Sequence, residues 1–207
     1  DIQRRVLRTS TSRYVNLEEL RRAGRVYLDT LSSNTRYQVR RALRKHETSG
    51  PLTLSLATTL EQAYAYFEQM KSLHQAYWAG KGRRGSFANR HWEAFHRSLI
   101  GERFSHGEIQ LLRIAAGGQS IGYLYNFIRN GWVYALQSGL HYEQNHTLHP
   151  GYVSHYLAIE HNLAHGARIY DFLAGDAQYK SSLGRDDHAL AWVVLQRRRW
   201  KFTVEDA

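Results

Sequence analysis

Asp176 and Lys180 stand four residues apart in a short stretch that stops at Gly184, so a helix there would set a carboxylate and an ammonium on one face. Such a pair can orient a polar substrate or relay a proton at the mouth of a site, and it can equally be a solvated ion pair. Glu143, just past an apolar run, reads as a general base or as a surface loop glutamate. Tyr179 could donate to a leaving group or simply cover the core. Gln137, and Tyr125 with Asn126, sit in runs that otherwise pack, where a substrate's polar groups could satisfy them. His155 is a further candidate substrate contact. Asp171 lies inside the apolar run Ile169 to Leu173; a buried carboxylate there must be paired or hydrogen-bonded, which favours a structural anchor that accepts from backbone.

Twelve histidines raise the question of a metal. His146 and His149 are three apart, and His161 and His165 four apart, but no third ligand completes either pair at a diagnostic spacing. They read as solvated or core-edge histidines, and no metal is expected. The absence of cysteine excludes disulfides, thiolate zinc sites and a cysteine nucleophile.

The elements that must position these residues are legible in part. Ser32, Ser33 and Asn34 are helix-capping types before Thr35 to Lys45, where Val39, Ala42, Leu43 and His46 share one face and Arg36, Arg40 and Arg44 another, with Arg41 and Lys45 beside them. Leu52 to Leu56 alternates like a strand. Thr58/Glu61 and Thr59/Gln62 form overlapping capping boxes for a helix to about Trp78. The loop from Gly80 to Ser86 is basic, and the helix after it carries Trp92, Phe95, Leu99 and Ile100 and ends near Gly107. Glu108–Ala116, Gln119–Arg129 and Trp132–Leu140 are strand-like, and Gly117-Gly118 and Asn130-Gly131 are two-residue hairpin turns, so they form an antiparallel meander. After a polar loop, His141 to His149, Pro150-Gly151 opens a helix from about Tyr152 to His165. A strand at Arg168–Leu173, a short helix at Asp176–Leu183 and a strand at Ala189–Gln196 follow. From Leu52 the order is β-α-α-β-β-β-α-β-α-β: an α/β chain with a mixed sheet, in which Trp132–Leu140 and Arg168–Leu173 are parallel if adjacent.

Residues 1–46 hold 12 Lys+Arg against 4 Asp+Glu, and the remaining 161 hold 16 against 14, so the formal charge of +10 belongs to the N-terminal segment. We divide the chain into a basic arm with one helix, residues 1–50, and a domain over residues 51–207. No run reaches the roughly 20 apolar residues of a membrane span, which fits a bacterial cytoplasmic location. The arm's arginine face is a solvated helix, a dock for a further domain or a surface for a polyanion; with Tyr37 the lone aromatic residue of that helix, it is no dedicated RNA-binding motif.

Gln137-Ser138-Gly139, Leu148-His149-Pro150-Gly151, Ala158-Ile159-Glu160, Tyr170 to Asp176, Tyr179-Lys180 and Leu183-Gly184, in this order, resemble the CelD-type acetyltransferase family, related to the Fem peptidyltransferases of peptidoglycan cross-bridge synthesis. The resemblance spans residues 51 to about 200, and the basic segment Asn34 to Lys45 is similar to a helix that precedes the domain in the same families. It implies a GNAT-like fold and a further N-terminal GNAT-like half before Asp1. The implied activity is direct transfer of an acyl group, typically acetyl, from acetyl-CoA or another acyl-CoA to an amine of a sugar or cell-envelope precursor. The donor's phosphates would meet the N–H groups of Gly151, Tyr152 and Val153 at a helix start, Pro150 having none. GNAT enzymes usually place a Gln/Arg-x-x-Gly-x-Gly/Ala loop here; this chain reads His146-Thr147-Leu148-His149-Pro150-Gly151, with one glycine. Fem-type enzymes also lack that loop and take aminoacyl-tRNA, so that donor stands as the alternative, beside a non-catalytic module that binds polysaccharide or a partner.

Overall fold

The computed structural model describes residues 2–142, 148–175 and 177–197. Among the described residues, seven strands, β1 (Ile2–Asn16), β2 (Leu52–Leu56), β3 (Ile109–Ala116), β4 (Gln119–Arg129), β5 (Trp132–Leu140), β6 (Ile169–Ala174) and β7 (Asp186–Arg197), form one sheet in the order β2-β3-β4-β5-β6-β1-β7. The helices are α1 (Leu17–Arg22), α2 (Tyr27–Thr30), α3 (Ser33–Glu47), α4 (Leu60–Gly80), α5 (Arg90–Arg103), α6 (Pro150–Ala164) and α7 (Gln178–Leu183). Among the described residues, no helix is long and apolar enough to cross a membrane.

The central meander follows from its turns. Asn130, Gly131, Gly117 and Gly118 all have positive φ, which is what two-residue hairpins with a right-handed strand twist demand. α4 begins with its expected capping box, Thr59 accepting from the Gln62 amide and Gln62 from the Thr58 amide. α3 is capped by Ser32, which accepts from the Thr35 amide. Alternation along β3 divides the core between the two sheet faces. Leu112 and Ile114 join Val39, Ala42, Val153, Ala158, Ile159, Tyr170 and Phe172 beneath α3 and α6. Ile109 and Leu111 join Ala63, Phe67, Met70, Ile100 and Tyr125 beneath α4 and α5.

β5 and β6 are parallel, as the intervening helix requires, and every other pairing is antiparallel. The basic N-terminal segment departs from its expected form. In place of an arm with one helix, it holds a fifteen-residue strand and three helices before β2. β1 is inserted between β6 and β7, pairing with β6 over Ser12–Asn16 and with β7 from Ile2 to Tyr14. What welds it in place is Asp171, 1% exposed, which accepts from the Ser12 hydroxyl of β1 and, at 2.7 Å, from the Leu173 amide, with His188 of β7 at 3.4 Å. The anchoring role expected of this carboxylate is thus fulfilled across three strands.

Candidate active site

Parallel pairing between β5 and β6 lasts three rungs, Trp132↔Ile169, Val133↔Tyr170 and Tyr134↔Asp171, and then stops, although β5 continues to Leu140 and β6 to Ala174. Both strands are pulled from the ladder by identifiable contacts. On the β5 side, the backbone of α4 lies directly against Gly139, and His74 of α4 contacts the Ser138 carbonyl at 3.3 Å. On the β6 side, Leu173 is left-handed with φ 58°. The Lys180 ammonium gathers the carbonyls of Phe172, Leu173 and Ala174 at 2.7, 3.2 and 2.8 Å. A strand whose carbonyls turn inward to an ammonium cannot offer them to its neighbour, and the β5 edge is left open from Ala135 onward.

Lys180 therefore shapes the end of β6 from α7. Replacing its donor leaves three carbonyls to find water, so Lys180→Met should lose about 2 kcal/mol in urea unfolding. Lys180→Arg should retain part of this.

α6 starts beside the opening. Its first turn, with Asn34 and Gln38 of α3, Tyr142, His149, and Gln178 and Tyr179 of α7, lines a cleft of about 280 Å³. His149 is left-handed at φ 39° and folds its carbonyl under the helix, where the amides of Tyr152 and Val153 donate to it at 2.9 and 3.3 Å. Of the three amides expected to meet a phosphate, that leaves Gly151 as the one not tied back to His149. The positive end of the fifteen-residue helix remains at the cleft.

A second feature compensates, and the sequence did not reveal it. Asn34, Gln38, Arg41 and Lys45 fall on one face of α3, and the first two line the cleft. The charges of Arg41 and Lys45 act on His149, whose basicity is lowered first by burial and then by these two cations. The Arg36/Arg40 side pairs with Asp29, while the Asn34/Gln38/Arg41/Lys45 side is the one turned to the cleft and His149. The sequence signal was there in the spacing 34, 38, 41, 45, but nothing in one dimension said which face would meet the cleft.

The other expected residues separate into three groups. Tyr179 is at the cleft, its ring stacked on His155 at 4.9 Å and its phenol pushed up first by burial and then by Tyr142. His155 is 2% exposed behind it, with Nδ1 2.9 Å from the Tyr170 hydroxyl. Gln137 lies on the opened part of β5, its amide donating to Ser86 at 3.3 Å. Tyr125 and Asn126 are fully buried away from the cleft: Tyr125 beside His96, and Asn126 in an amide network with Gln110, which in turn bonds Asn162. Glu143 and Asp176 lie outside the described residues, as do His146 and Thr147. Among the described residues, no three potential ligands converge as a metal site; His161 and His165 stack at 4.0 Å.

The comparisons agree with this architecture. FemX shares 14% identity over 86% of this chain and 59% of its own, with a TM-score of 0.57. The C-terminal domain of a putative lysylphosphatidylglycerol synthetase from Agrobacterium fabrum gives 9%, 95%, 62% and 0.58, and L-PGS from Bacillus licheniformis 10%, 99%, 65% and 0.55. At these identities the likeness is one of fold, and the chain spans less than two thirds of each of these structures. No curated protein matches the sequence. The model of the acetyltransferase (GNAT) domain family, however, matches residues 33–181, from the start of α3 through Ser181 of α7, and the chain belongs to that family.

Proposed function

We propose that this domain transfers an acyl group from an acyl-CoA to an amine on a sugar or cell-envelope precursor. The observation that carries the reading is the β5–β6 opening, with Leu140 at the end of β5 beside Gly151 in the first turn of α6. An extended donor arm needs unpaired strand backbone to run along, and the β5 edge from Ala135 supplies it. The anionic end of the donor needs positive potential, to which the α6 dipole, Gly151, Arg41 and Lys45 contribute. In the reaction the amine nitrogen bonds to the acyl carbon, the thiolate departs and the amine gives up a proton, with no covalent enzyme intermediate. Tyr179 lines the cleft and is our candidate for a hydrogen-bond donor to the leaving thiolate; burial keeps its phenol protonated and makes it a weak acid, so it would stabilise the departing sulfur by hydrogen bonding. Glu143 and Asp176 are our candidates for taking the amine proton, and Gln137 for holding a polar group of the acceptor.

The basic face of α3 also favours a second reading, a Fem-type transferase that takes aminoacyl-tRNA. Calorimetry with acetyl-CoA separates the two. Saturable binding is expected, and Arg41→Ala should weaken it by about 1 kcal/mol, roughly fivefold, as for one half-exposed charge contact. No detectable heat with acetyl-CoA, together with binding of aminoacyl-tRNA, would overturn the acyl-CoA reading. Absence of both would leave a binding module.

A further inference from the structure

On the sheet face that carries Asp171, four half-buried rings gather around this carboxylate: Tyr14 of β1, Trp132 and Tyr134 of β5, and His188 of β7. Their centroids lie 5.4 Å (Tyr14–His188), 5.9 Å (Trp132–His188), 5.9 Å (Trp132–Tyr134) and 6.4 Å (Tyr14–Trp132) apart. Asp171 Oδ1 is used by Ser12 and Leu173, whereas Oδ2 accepts no hydrogen bond among the described residues and has only His188 Nε2 at 3.4 Å. A carboxylate with a buried oxygen that accepts no hydrogen bond, among aromatic rings, is arranged for a cation that brings its own N–H groups.

The charges around the rings agree. Asp186, Asp187, Glu19 and Asp171 all act on the Tyr14 hydroxyl, which burial and then these carboxylates hold in its neutral form. Arg13 pairs with one of these carboxylates, Asp187, and Arg129 is paired with Glu108, which leaves Asp186, Glu19 and Asp171 to act on the rings. In a chain of net charge +10, this face is locally negative.

We propose that the face formed by Tyr14, Trp132, Tyr134 and His188 binds the primary ammonium group of an amine ligand, held over the rings with N–H directed at Asp171 Oδ2. His188, 31% exposed, is the ring that turns aside as the ligand enters. A simple alkylamine has a pKa near 10 and arrives protonated. Tyr134↔Asp171 is the last rung before β5 and β6 part, so the bound group lies next to the opening. That the ligand is the acceptor of the transfer rests on the function proposed above; binding of an ammonium does not.

The probe is n-butylammonium at pH 7, followed by two-dimensional NMR of the indole N–H groups, with the Trp132 signal identified by its loss in Trp132→Phe. A saturable shift of that signal is expected, and none with n-butanol. Asp171→Asn, which can still accept from Ser12 and Leu173, should weaken binding roughly tenfold or more. If that variant does not fold, Tyr134→Leu removes a ring but no charge and should weaken binding about threefold. Equal shifts with n-butanol, equal affinity for tetramethylammonium, or no saturable shift with butylammonium would each overturn the proposal. Acetyl-CoA binding, measured separately, is unaffected by either result, so failure here and failure of the transfer reading are told apart.

Discussion

Lowering the pH from 6.5 to 4.5 should remove about 5 kcal/mol of folding stability, most of it through two buried histidines. His155 is 2% exposed, packed against Tyr170, Phe172 and Tyr179, and its pKa is driven down to about 3, first by burial and then by Lys180. His96 is 2% exposed among Trp92, Phe95, Tyr125 and Phe127, and burial takes its pKa to about 4. In the unfolded chain both titrate near 6.5. Between the folded and unfolded values the unfolded state binds the protons, so stability falls as pH falls, by about 1.4 kcal/mol per pH unit for each group. Above 6.5 both are neutral in either state and the slope vanishes. His74, His149 and His161, also lowered by burial, lean the same way. Glu160 opposes them, because burial raises its pKa and protonation there favours the folded form.

A domain of this size has a total stability on the order of 5–15 kcal/mol, so urea midpoints measured from pH 7 to 4.5 should collapse towards zero. His155→Gln and His96→Gln should each remove roughly half of the slope, whatever they do to stability at neutral pH. An unchanged slope in both variants would mean that other groups govern acid unfolding. The consequence for the cleft is direct: His155, which carries Tyr179 on its ring, stays neutral in the folded state down to about pH 3, so acid acts on the cleft through unfolding of the whole sheet.

The sequence disclosed those parts of the fold whose signals are local. Gly117-Gly118 and Asn130-Gly131 announce hairpins because their backbone conformations are ones that few other residues tolerate. Pro150 marks the start of α6 because it costs nothing there and much elsewhere. β1 was missed for an equally physical reason. Its residues Ile2 to Thr11 are nearly all exposed, paired with β7 alone, so no alternation of apolar and polar side chains records that they form a strand. Its seat between β6 and β7 is decided by Ser12 and Asp171, which are 159 positions apart. The site followed the same rule. The parallel pairing of β5 and β6 could be inferred from the crossover helix, but the place where it stops depends on Lys180, Leu173 and α4 contacts that no spacing encodes. The spacing of Asp176 and Lys180 did not announce that Lys180 also holds the backbone carbonyls at the end of β6; Asp176 itself lies outside the described residues.

Gly139→Ala should lower stability by about 3 kcal/mol and suppress the proposed acyl transfer in the molecules that still fold. A Cβ on Gly139 would lie 2.0 Å from the Met70 carbonyl oxygen and 2.7 Å from the Met70 carbonyl carbon and Cα. All three are backbone atoms in the middle of α4, so no side chain can swing away, and the helix itself must move off the sheet. Met70 and Phe67 on that helix are fully buried against β5's neighbours, and displacing them loosens the core beneath α4 and α5. The shift would also break the His74 contact to Ser138 that helps hold the end of β5 away from β6. Gly80→Ala, at the last residue of the same helix, meets nothing within 4 Å and should leave stability unchanged or raise it by about half a kcal/mol. Urea unfolding of the two variants beside the parent makes the comparison. Equal midpoints would show that α4 does not press on β5, and the account of why the strands part would fall with it. A large loss confined to Gly139→Ala would tie the opening between β5 and β6 to a helix on the far side of the strand from α6.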